Sequence, residues 1–201
     1  MAREFLRTLL TPSVRAAQTH YYGRAYPDQG STAHADALGP DEQQFAQARD
    51  SFYLATISEH GWPYVQHRGG PVGFLTSPSP RHLAFADYGG NRQLISVGSV
   101  AKNPRVCLFL MDYAARTRLK ILGEAEVLDA RQHPDLIPAT APPKGHAAAV
   151  ERIVRITVSS FDWNCPKFIT PRFTREEVDA VVQPLQARIA ELEAKLRGLQ
   201  P

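Results

Sequence analysis

Hydrophobic and polar positions alternate in short runs through the middle of the chain, and turn residues separate the runs. Between residues 52 and 160 the runs are rich in β-branched and aromatic residues, which favours strands. Apolar residues at three-residue spacing from Leu94 to Val100 predict one short helix among them. Short strands with only small helices between them indicate an antiparallel barrel rather than a parallel α/β sheet. The predicted strands are FYLATIS from residue 52 and residues 63–69, 72–76, 82–87, 105–111, 118–128 and 152–160.

Two helices are predicted before the strands. Thr11 is a candidate N-cap with Pro12 at the first helical position. The second helix is predicted over residues 39–52, with Pro40 and two acids in its first turn. Residues 23–39 are rich in Gly, Ser, Asp and Pro and predict a loop. We therefore divide the chain into an N-terminal helix and loop extension (1–39), a barrel domain (40–173) and a C-terminal helical extension (174–201).

The C-terminal extension has apolar residues at alternating four- and three-residue spacing. Thr174 and Glu177 match a capping box, and Pro184 predicts a kink or a second helix that starts after residue 183. Such heptads fit a seam between subunits as well as a helix packed on its own barrel. The seam residues are Val178, Val182, Leu185, Ile189, Leu192, Leu196 and Leu199.

Composition narrows the classes of partner. The chain of 201 residues has 23 basic and 20 acidic residues, a net charge of +3 and no dense basic tract. Nucleic acid and membrane surfaces are therefore not expected partners, whereas a small anionic ligand suits this balance. Cys107 and Cys165 lack CxxC spacing and the histidines lie far apart, so we expect neither a metal site nor a disulfide. No segment reaches a spanning length, which predicts a cytoplasmic protein.

The stretch GWPYVQHRGGPVGFL, residues 61–75, reads as a strand interrupted by Gly-Gly-Pro. Strand alternation places Gln66 and Arg68 on one face and His67 on the other. Gly69 and the glycine after it leave room for a flat ligand against the backbone. A β-bulge at a barrel corner explains the two glycines equally well.

The stretch FADYGGNRQ ends a strand in a Gly-Gly turn. It brings Asn91, Arg92 and Gln93 to the start of the predicted helix. Free amides and a guanidinium together favour a phosphate there, and a solvated turn is the alternative.

The stretch MDYAARTRLKILGEAEV predicts a row of cations. Arg116, Arg118 and Lys120 would share one face of a long strand. Three such cations repel one another unless an anion lies across them. A charged edge strand that prevents aggregation is the alternative.

The stretch FDWNCPKFITPRF, residues 161–173, predicts a loop that covers a site, because it is rich in aromatic residues. Trp163 is explained equally by ordinary packing. Cys165 has no evident base or helix N-terminus beside it, so we expect an inert thiol.

These stretches in this order resemble the pyridoxamine 5'-phosphate oxidase-like, FMN-binding split β-barrel proteins. FYLATISEHGWPYVQ, LAFADYGGNRQ, KNPRVCLFLMDY, RLKILGEAEVL and FDWNCPKFITPRF carry the resemblance, which covers about residues 45–175. It implies a mainly β fold with flanking helices, in which a split β-barrel of six to seven antiparallel strands precedes a C-terminal helix. It also implies a homodimer with FMN in a groove at the interface.

The resemblance implies a cofactor site. Arg92 and Gln93 match an Arg-Lys pair that grips the phosphate, so one cation is lost at Gln93, and Arg68 is the candidate to replace it. Arg118 matches a glutamine that contacts the flavin ring. With the other cations of the pattern, the predicted cofactor-binding residues are Gln66, His67, Arg68, Gly69, Ala86, Asp87, Asn91, Arg92, Gln93, Arg116, Arg118, Trp163 and Arg172.

The terminal loop departs from the family's substrate site. Trp163 and Arg172 match residues that close over the ring from the partner subunit. The Arg-x-His pair that binds the vitamin B6 substrate is absent from NCPKFITP, and Pro71 stands nearest to the family's substrate lysine. We therefore expect FMN binding without pyridoxamine phosphate oxidation.

The resemblance predicts a flavin oxidoreductase that transfers a hydride or electrons between a small-molecule substrate and a donor such as NAD(P)H. Arg118 or Arg172 would stabilise negative charge on the ring, and no side chain need act as a general base. One alternative is an FMN carrier or sensor without turnover. Another is a haem protein with His67 or a different histidine as axial ligand, and a third is a deazaflavin protein.

Overall fold

The structure is a computed structural model that describes residues 3–28, 30, 35–88, 92–133, 150–163 and 167–198. The helices in these ranges are α1 (Arg3–Leu9), α2 (Pro12–Tyr22), α3 (Pro40–Gln47), α4 (Ile95–Lys102) and α5 (Arg175–Arg197). The strands are β1 (Ser51–Ile57), β2 (Pro63–Gly69), β3 (Leu75–Ser79), β4 (His82–Tyr88), β5 (Arg105–Asp112), β6 (Thr117–Asp129) and β7 (Val150–Trp163).

The seven strands form one antiparallel sheet in the order β2-β1-β5-β6-β7-β4-β3. The predicted hairpin between β1 and β2 is confirmed, since the Ser58 amide donates to the Trp62 carbonyl at 2.9 Å. Gly61 has a φ of +83°, which a glycine adopts without strain in this turn. The pairs β1–β2, β3–β4 and β5–β6 are thus joined by short connections.

The barrel core consists of the inward-facing residues of the strands. Phe52 on β1 is 1% exposed and packs against Phe74 and Phe85, with ring centroids 5.7 and 5.3 Å away. Each buried aromatic side chain contributes about 1.5–3 kcal/mol. A Cβ on Gly70 would lie 2.6 Å from the Phe74 ring, so core packing explains this glycine. The interpretation of Gly70 as space for a ligand is wrong.

Two elements have bounds in the structure that differ from those predicted from the sequence. The helix predicted over residues 39–52 ends at Gln47, because Phe52 belongs to β1 and points into the core. The strand predicted over residues 72–76 begins at Leu75, because Gly73 has a φ of +89° in a turn. Both errors lie where the hydrophobic period changes.

Arg116 does not lie on a strand. It ends the turn between β5 and β6 with a φ of +53°, and β6 begins at Thr117. The Asp112 carboxylate accepts a hydrogen bond from the Ala115 amide at 2.8 Å, which stabilises this turn. The predicted row of three cations on one strand face is therefore wrong, because only Arg118 and Lys120 belong to β6.

The N-terminal extension contains one helix, α1, that the sequence pattern did not predict. Its Phe5 side chain is 4% exposed, and α1 packs against β7. Leu38 is 2% exposed and its amide donates to the Pro80 carbonyl at 2.7 Å. Helix α1 and the segment around Leu38 thus pack on the barrel, whereas α2 has no buried residue.

Helix α5 continues through Pro184, so the predicted alternative of a second helix that starts after residue 183 is wrong. The capping box is confirmed: the Thr174 amide donates to Glu177 Oε2 at 2.7 Å, and the Glu177 amide donates to Thr174 Oγ1 at 3.2 Å. No residue of α5 is buried, so it does not pack on its own barrel, and Leu199 lies outside the described residues. No helix in the described ranges is long and apolar enough to cross a membrane.

Candidate anion and cofactor site

A polar cavity of about 200 Å³ lies between β2, β4, β7 and the start of α4. We call it the arginine cavity after Arg68, Arg92 and Arg152, which line it from three separate parts of the chain. Asp87 is the single acid among the described residues that line it. The other lining residues are Tyr64, Gln66, Tyr88, Gln93, Leu94, Ile95, Ser96 and Val97.

Strand β2 delivers two of these side chains because of its register with β1. Gln66 pairs with Leu54 and Arg68 pairs with Phe52, so both share the side of the sheet that faces the core. His67 lies on the opposite side, where its ring contacts Tyr53 edge-on at 5.7 Å. The predicted division of these three residues between two faces is confirmed.

Asp87 joins two of the arginines. Arg68 Nη1 donates to Asp87 Oδ1 at 2.6 Å, and Arg152 Nε donates to Asp87 Oδ2 at 2.7 Å. Burial lowers the pKa of Arg152, but the hydrogen bond and charge of Asp87 outweigh it and raise that pKa overall. Arg152 Nη1 also pairs with Glu151 Oε2 at 2.8 Å, outside the cavity lining. Within the lining, one carboxylate therefore faces three guanidinium groups.

The segment before α4 has an unusual backbone. Arg92 and Leu94 have φ values of +61° and +53°, which cost a non-glycine residue about 1 kcal/mol or more. Leu94 is the N-cap residue and provides no side-chain hydrogen bond to the helix. The first amides of α4 and the positive end of its dipole therefore face the cavity without a capping side chain.

Two donors in the cavity have no partner within the described residues. Arg68 Nε and the Tyr88 hydroxyl are both buried and make no hydrogen bond there. Burial raises the pKa of Tyr88, so its hydroxyl stays protonated as a donor. A buried donor without a partner costs about 1–3 kcal/mol, whereas an anion in the cavity would accept from both.

The amide of Gln66 is held in place from α4. Ser96 Oγ donates to Gln66 Oε1 at 2.8 Å, and this bond joins β2 to the first turn of the helix. Because Oε1 of Gln66 accepts this bond, its NH₂ group is the part of the amide that can donate to a ligand. The cavity thus presents guanidinium, amide and hydroxyl donors, which is the donor set that a phosphate binds.

Three other predicted site residues contribute differently. Gln93 lines the arginine cavity, and Ala86 is buried in β4 at 5% exposure without lining it. A Cβ on Gly69 would lie 3.1 Å from His67 Cε1, so the His67 side chain on the same strand occupies the space next to Gly69. Asn91 lies outside the described residues.

The remaining predicted cations and the tryptophan lie away from the arginine cavity. The Arg118 guanidinium stacks 5.3 Å from the Phe109 ring, and the Arg172 guanidinium lies 4.9 Å from the Tyr113 ring. Arg116 also does not line this cavity. The structure of one subunit therefore does not bring these arginines to the phosphate-type site.

Trp163 belongs to β7 rather than to the predicted loop. Its Nε1 donates to Glu42 Oε1 at 2.6 Å, and its ring packs edge-on against Phe45 at 4.8 Å. These contacts join β7 to α3. They favour the packing interpretation of this residue within one subunit.

Arg152 is the functional residue that the sequence pattern missed. It lies at the start of a predicted strand, where two arginines, Arg152 and Arg155, stand among Ile and Val residues and nothing local distinguishes them. Its position becomes clear only from the pairing of β4 with β7, in which Asp87 is opposite Arg152. This register is a long-range property of the sheet.

A second feature is an apolar surface on the other side of β1, β2 and β5. Tyr53 is 39% exposed on the interior strand β1, and Val65 is 60% exposed on the neighbouring edge strand β2. A cavity of about 360 Å³ lies over this surface. We call it the outer face, defined by Tyr53, Ala55, Val65, Cys107, Phe109 and Tyr113.

Comparison with known proteins gives one family. A family model described as pyridoxamine 5'-phosphate oxidase matches residues 38–162. No curated protein matches the chain. The matched range and the seven-stranded antiparallel sheet confirm the predicted mainly β split barrel with a C-terminal helix.

Several solved structures are similar to this chain. One is a Lactobacillus delbrueckii protein assigned as a pyridoxamine 5'-phosphate oxidase, with 19% identity over 63% of this chain and 93% of that chain and a TM-score of 0.49. Another is a conserved hypothetical protein from Mycobacterium tuberculosis, with 14% identity over 72% and 96% and a TM-score of 0.48. A third, related to general stress protein 26, comes from Clostridium acetobutylicum, with 15% identity over 62% and 85% and a TM-score of 0.44.

Proposed function

The chain belongs to the pyridoxamine 5'-phosphate oxidase family, and from this premise we propose that it is an FMN-binding oxidoreductase whose cofactor phosphate occupies the arginine cavity. Proteins of this family generally bind a flavin. The observation that carries the proposal is the convergence of Arg68, Arg92 and Arg152 on one cavity at the start of α4. A phosphate group complements this charge and these donors.

The phosphate would accept hydrogen bonds from the donors in the cavity that have no partner among the described residues. Arg92 would grip it directly, since no carboxylate pairs with this guanidinium among the described ion pairs. Arg68 would donate through Nε while its Nη1 stays on Asp87. Arg152 adds the positive charge that the family has as a lysine at the position of Gln93. The lost cation is thus compensated from β7.

The remaining part of FMN would lie along β2. Tyr64 and Gln66 continue the same strand face beyond Arg68, and Ser96 fixes the Gln66 amide. FMN, when bound, supplies a ring that accepts a hydride or electrons. The chain would bind and orient that ring, and it would exclude water from it.

We propose that Arg118, Trp163 and Arg172 contact the cofactor bound by a partner subunit. None of them lines the arginine cavity of its own chain. The outer face supports a homodimer, since a contiguous exposed apolar surface on a sheet is typical of interfaces. A groove between two such faces would complete the site.

Pyridoxamine phosphate is not the proposed substrate. Pro71 stands where the family has its substrate lysine, and a prolyl ring cannot donate a hydrogen bond. We propose a different small molecule as the substrate and a nicotinamide nucleotide as the electron donor.

The absorption spectrum of the purified protein, before and after incubation with FMN, tests this proposal. We expect yellow flavin bands that bleach on anaerobic mixing with NADH or NADPH and return in air. Bands that persist would identify a carrier without turnover. A colourless protein after incubation, or a Soret band, would contradict the proposal.

A further inference from the structure

Helix α5 has an apolar stripe that no described part of the chain covers. Its residues are each between 36% and 64% exposed. An apolar stripe along a 23-residue helix is normally buried against another element. We call it the α5 stripe, and it consists of Val178, Val182, Leu185, Ile189, Leu192 and Leu196.

The stripe follows the heptad repeat of a coiled coil, with spacings of four and three residues in turn. Val182 and Ile189, both β-branched, occupy a positions, whereas Leu185 and Leu192 occupy d positions. This central combination favours two parallel strands over trimers and tetramers, and the two ends of the stripe have the reverse pattern, with Val178 at d and Leu196 at a. Pro184 falls at the outward c position, so its ring does not enter the seam.

The flanking charges select the orientation of the second helix. In a parallel pair in register, Arg188 at a g position lies opposite Glu193 of the other copy, five residues later. In an antiparallel pair centred on the same stripe, Arg188 would face its own copy and Asp179 would face Glu193. Both antiparallel contacts join like charges and are unfavourable.

We propose that α5 pairs with α5 of a second copy of this chain as a parallel, in-register, two-stranded coiled coil over Val178–Leu196. The pairing buries the α5 stripe and adds ion pairs between Arg188 and Glu193 of the two copies. This assembly element goes beyond the proposed flavin chemistry and does not depend on it.

Cysteine cross-linking of the full chain tests the pairing. Val178→Cys and Leu196→Cys, made separately, place two identical thiols at one level of a parallel seam. Mild oxidation should cross-link each variant at least about fivefold more than the control Ala194→Cys, whose side chain lies at the outward f position. The parent chain measures any background from Cys107 and Cys165.

The outcomes separate clearly. Cross-linking that requires a mixture of the Val178→Cys and Leu196→Cys chains would show an antiparallel pair and overturn the proposal. Equal cross-linking of the stripe and control variants would also overturn it, since the stripe would then not be paired. Circular dichroism checks that each variant keeps the helix.

Charge reversal tests the register. In the Leu196→Cys chain, adding Arg188→Glu places two glutamates opposite one another and should lower cross-linking about threefold. Adding Glu193→Arg as well should restore it. Cross-linking that Arg188→Glu leaves unchanged would overturn the parallel, in-register arrangement.

Discussion

Within the described ranges, a carboxylate lies between two cations at two places, the arginine cavity and α5. Asp87 accepts from Arg68 and Arg152 at 2.6 and 2.7 Å, and its side chain is 8% exposed. Glu191 accepts from Arg188 and Lys195 at 2.5 and 2.6 Å on a fully exposed surface. The geometry is nearly the same, but water surrounds only the second group.

The difference in solvent decides what each group does. Hydrogen bonds from Lys195 and Arg188 lower the pKa of Glu191, yet solvent screens exposed pairs and their contribution to stability is small. At Asp87 the same contacts keep cations together in a partly buried site, where removal of one partner leaves charge without compensation. In our two proposals, charge on α5 selects the partner helix, whereas charge at the cavity selects the ligand.

Removal of Asp87 should have the largest effect. Asp87→Ala leaves the partly buried Arg68 guanidinium without its carboxylate and Arg152 with only Glu151, and we expect a loss of roughly 3 kcal/mol in the free energy of unfolding. Urea denaturation measures this loss. The matched variant Glu191→Ala should leave the barrel transition unchanged, and equal losses in the two variants would contradict the comparison.

Loss of the α5 cap should have the next largest effect. Thr174→Ala removes the side-chain oxygen that accepts from the Glu177 amide, which typically costs about 1 kcal/mol of helix stability. Hydrogen exchange of the first α5 amides should speed up about fivefold, while amides of β5 and β6 stay protected. Faster exchange throughout the barrel would show that α5 supports the core after all.

Ser96→Ala should weaken the cofactor without changing the charge of the cavity. The Gln66 amide loses the hydrogen bond that fixes it, so we expect about a threefold to fivefold loss of FMN affinity. A fluorescence titration measures the affinity. An unchanged affinity would mean that Gln66 does not contact the cofactor.

The smallest effect concerns alkaline pH. Burial raises the pKa of Tyr88 above 10.0, so the folded protein holds its proton at a pH where the unfolded chain has lost it. The contribution of Tyr88 to the free energy of unfolding is therefore fully present below about pH 10, and it is lost as the pH rises above that value. Tyr88→Phe should reduce the drop in urea midpoint between about pH 8 and pH 10.5. Tyr22→Phe, an exposed control, should not.

Local patterns predicted the parts of the site that depend on neighbours in sequence. Strand alternation separated Gln66 and Arg68 from His67, and the capping box at Thr174 located the start of α5. These features follow from periods of two or from contacts across three residues. They require no knowledge of the rest of the fold.

The missed features depend on distant parts of the chain. Arg152 joins the cavity only through the pairing of β7 with β4, and Gly70 is explained only by the position of Phe74 in the core. Arg116 was assigned to a strand because the turn before β6 contains no glycine or proline. Register, packing and turn geometry of this kind are fixed by tertiary structure, which a local period does not contain.

A comparison of FMN with riboflavin tests the central claim most directly, because the two ligands differ only in the phosphate. The full chain should bind FMN at least about 100-fold more tightly, Arg92→Ala should lose about 30-fold for FMN and little for riboflavin, and the exposed control Arg131→Ala should match the parent. Equal affinity of the parent chain for FMN and riboflavin would contradict the assignment of the arginine cavity to the phosphate.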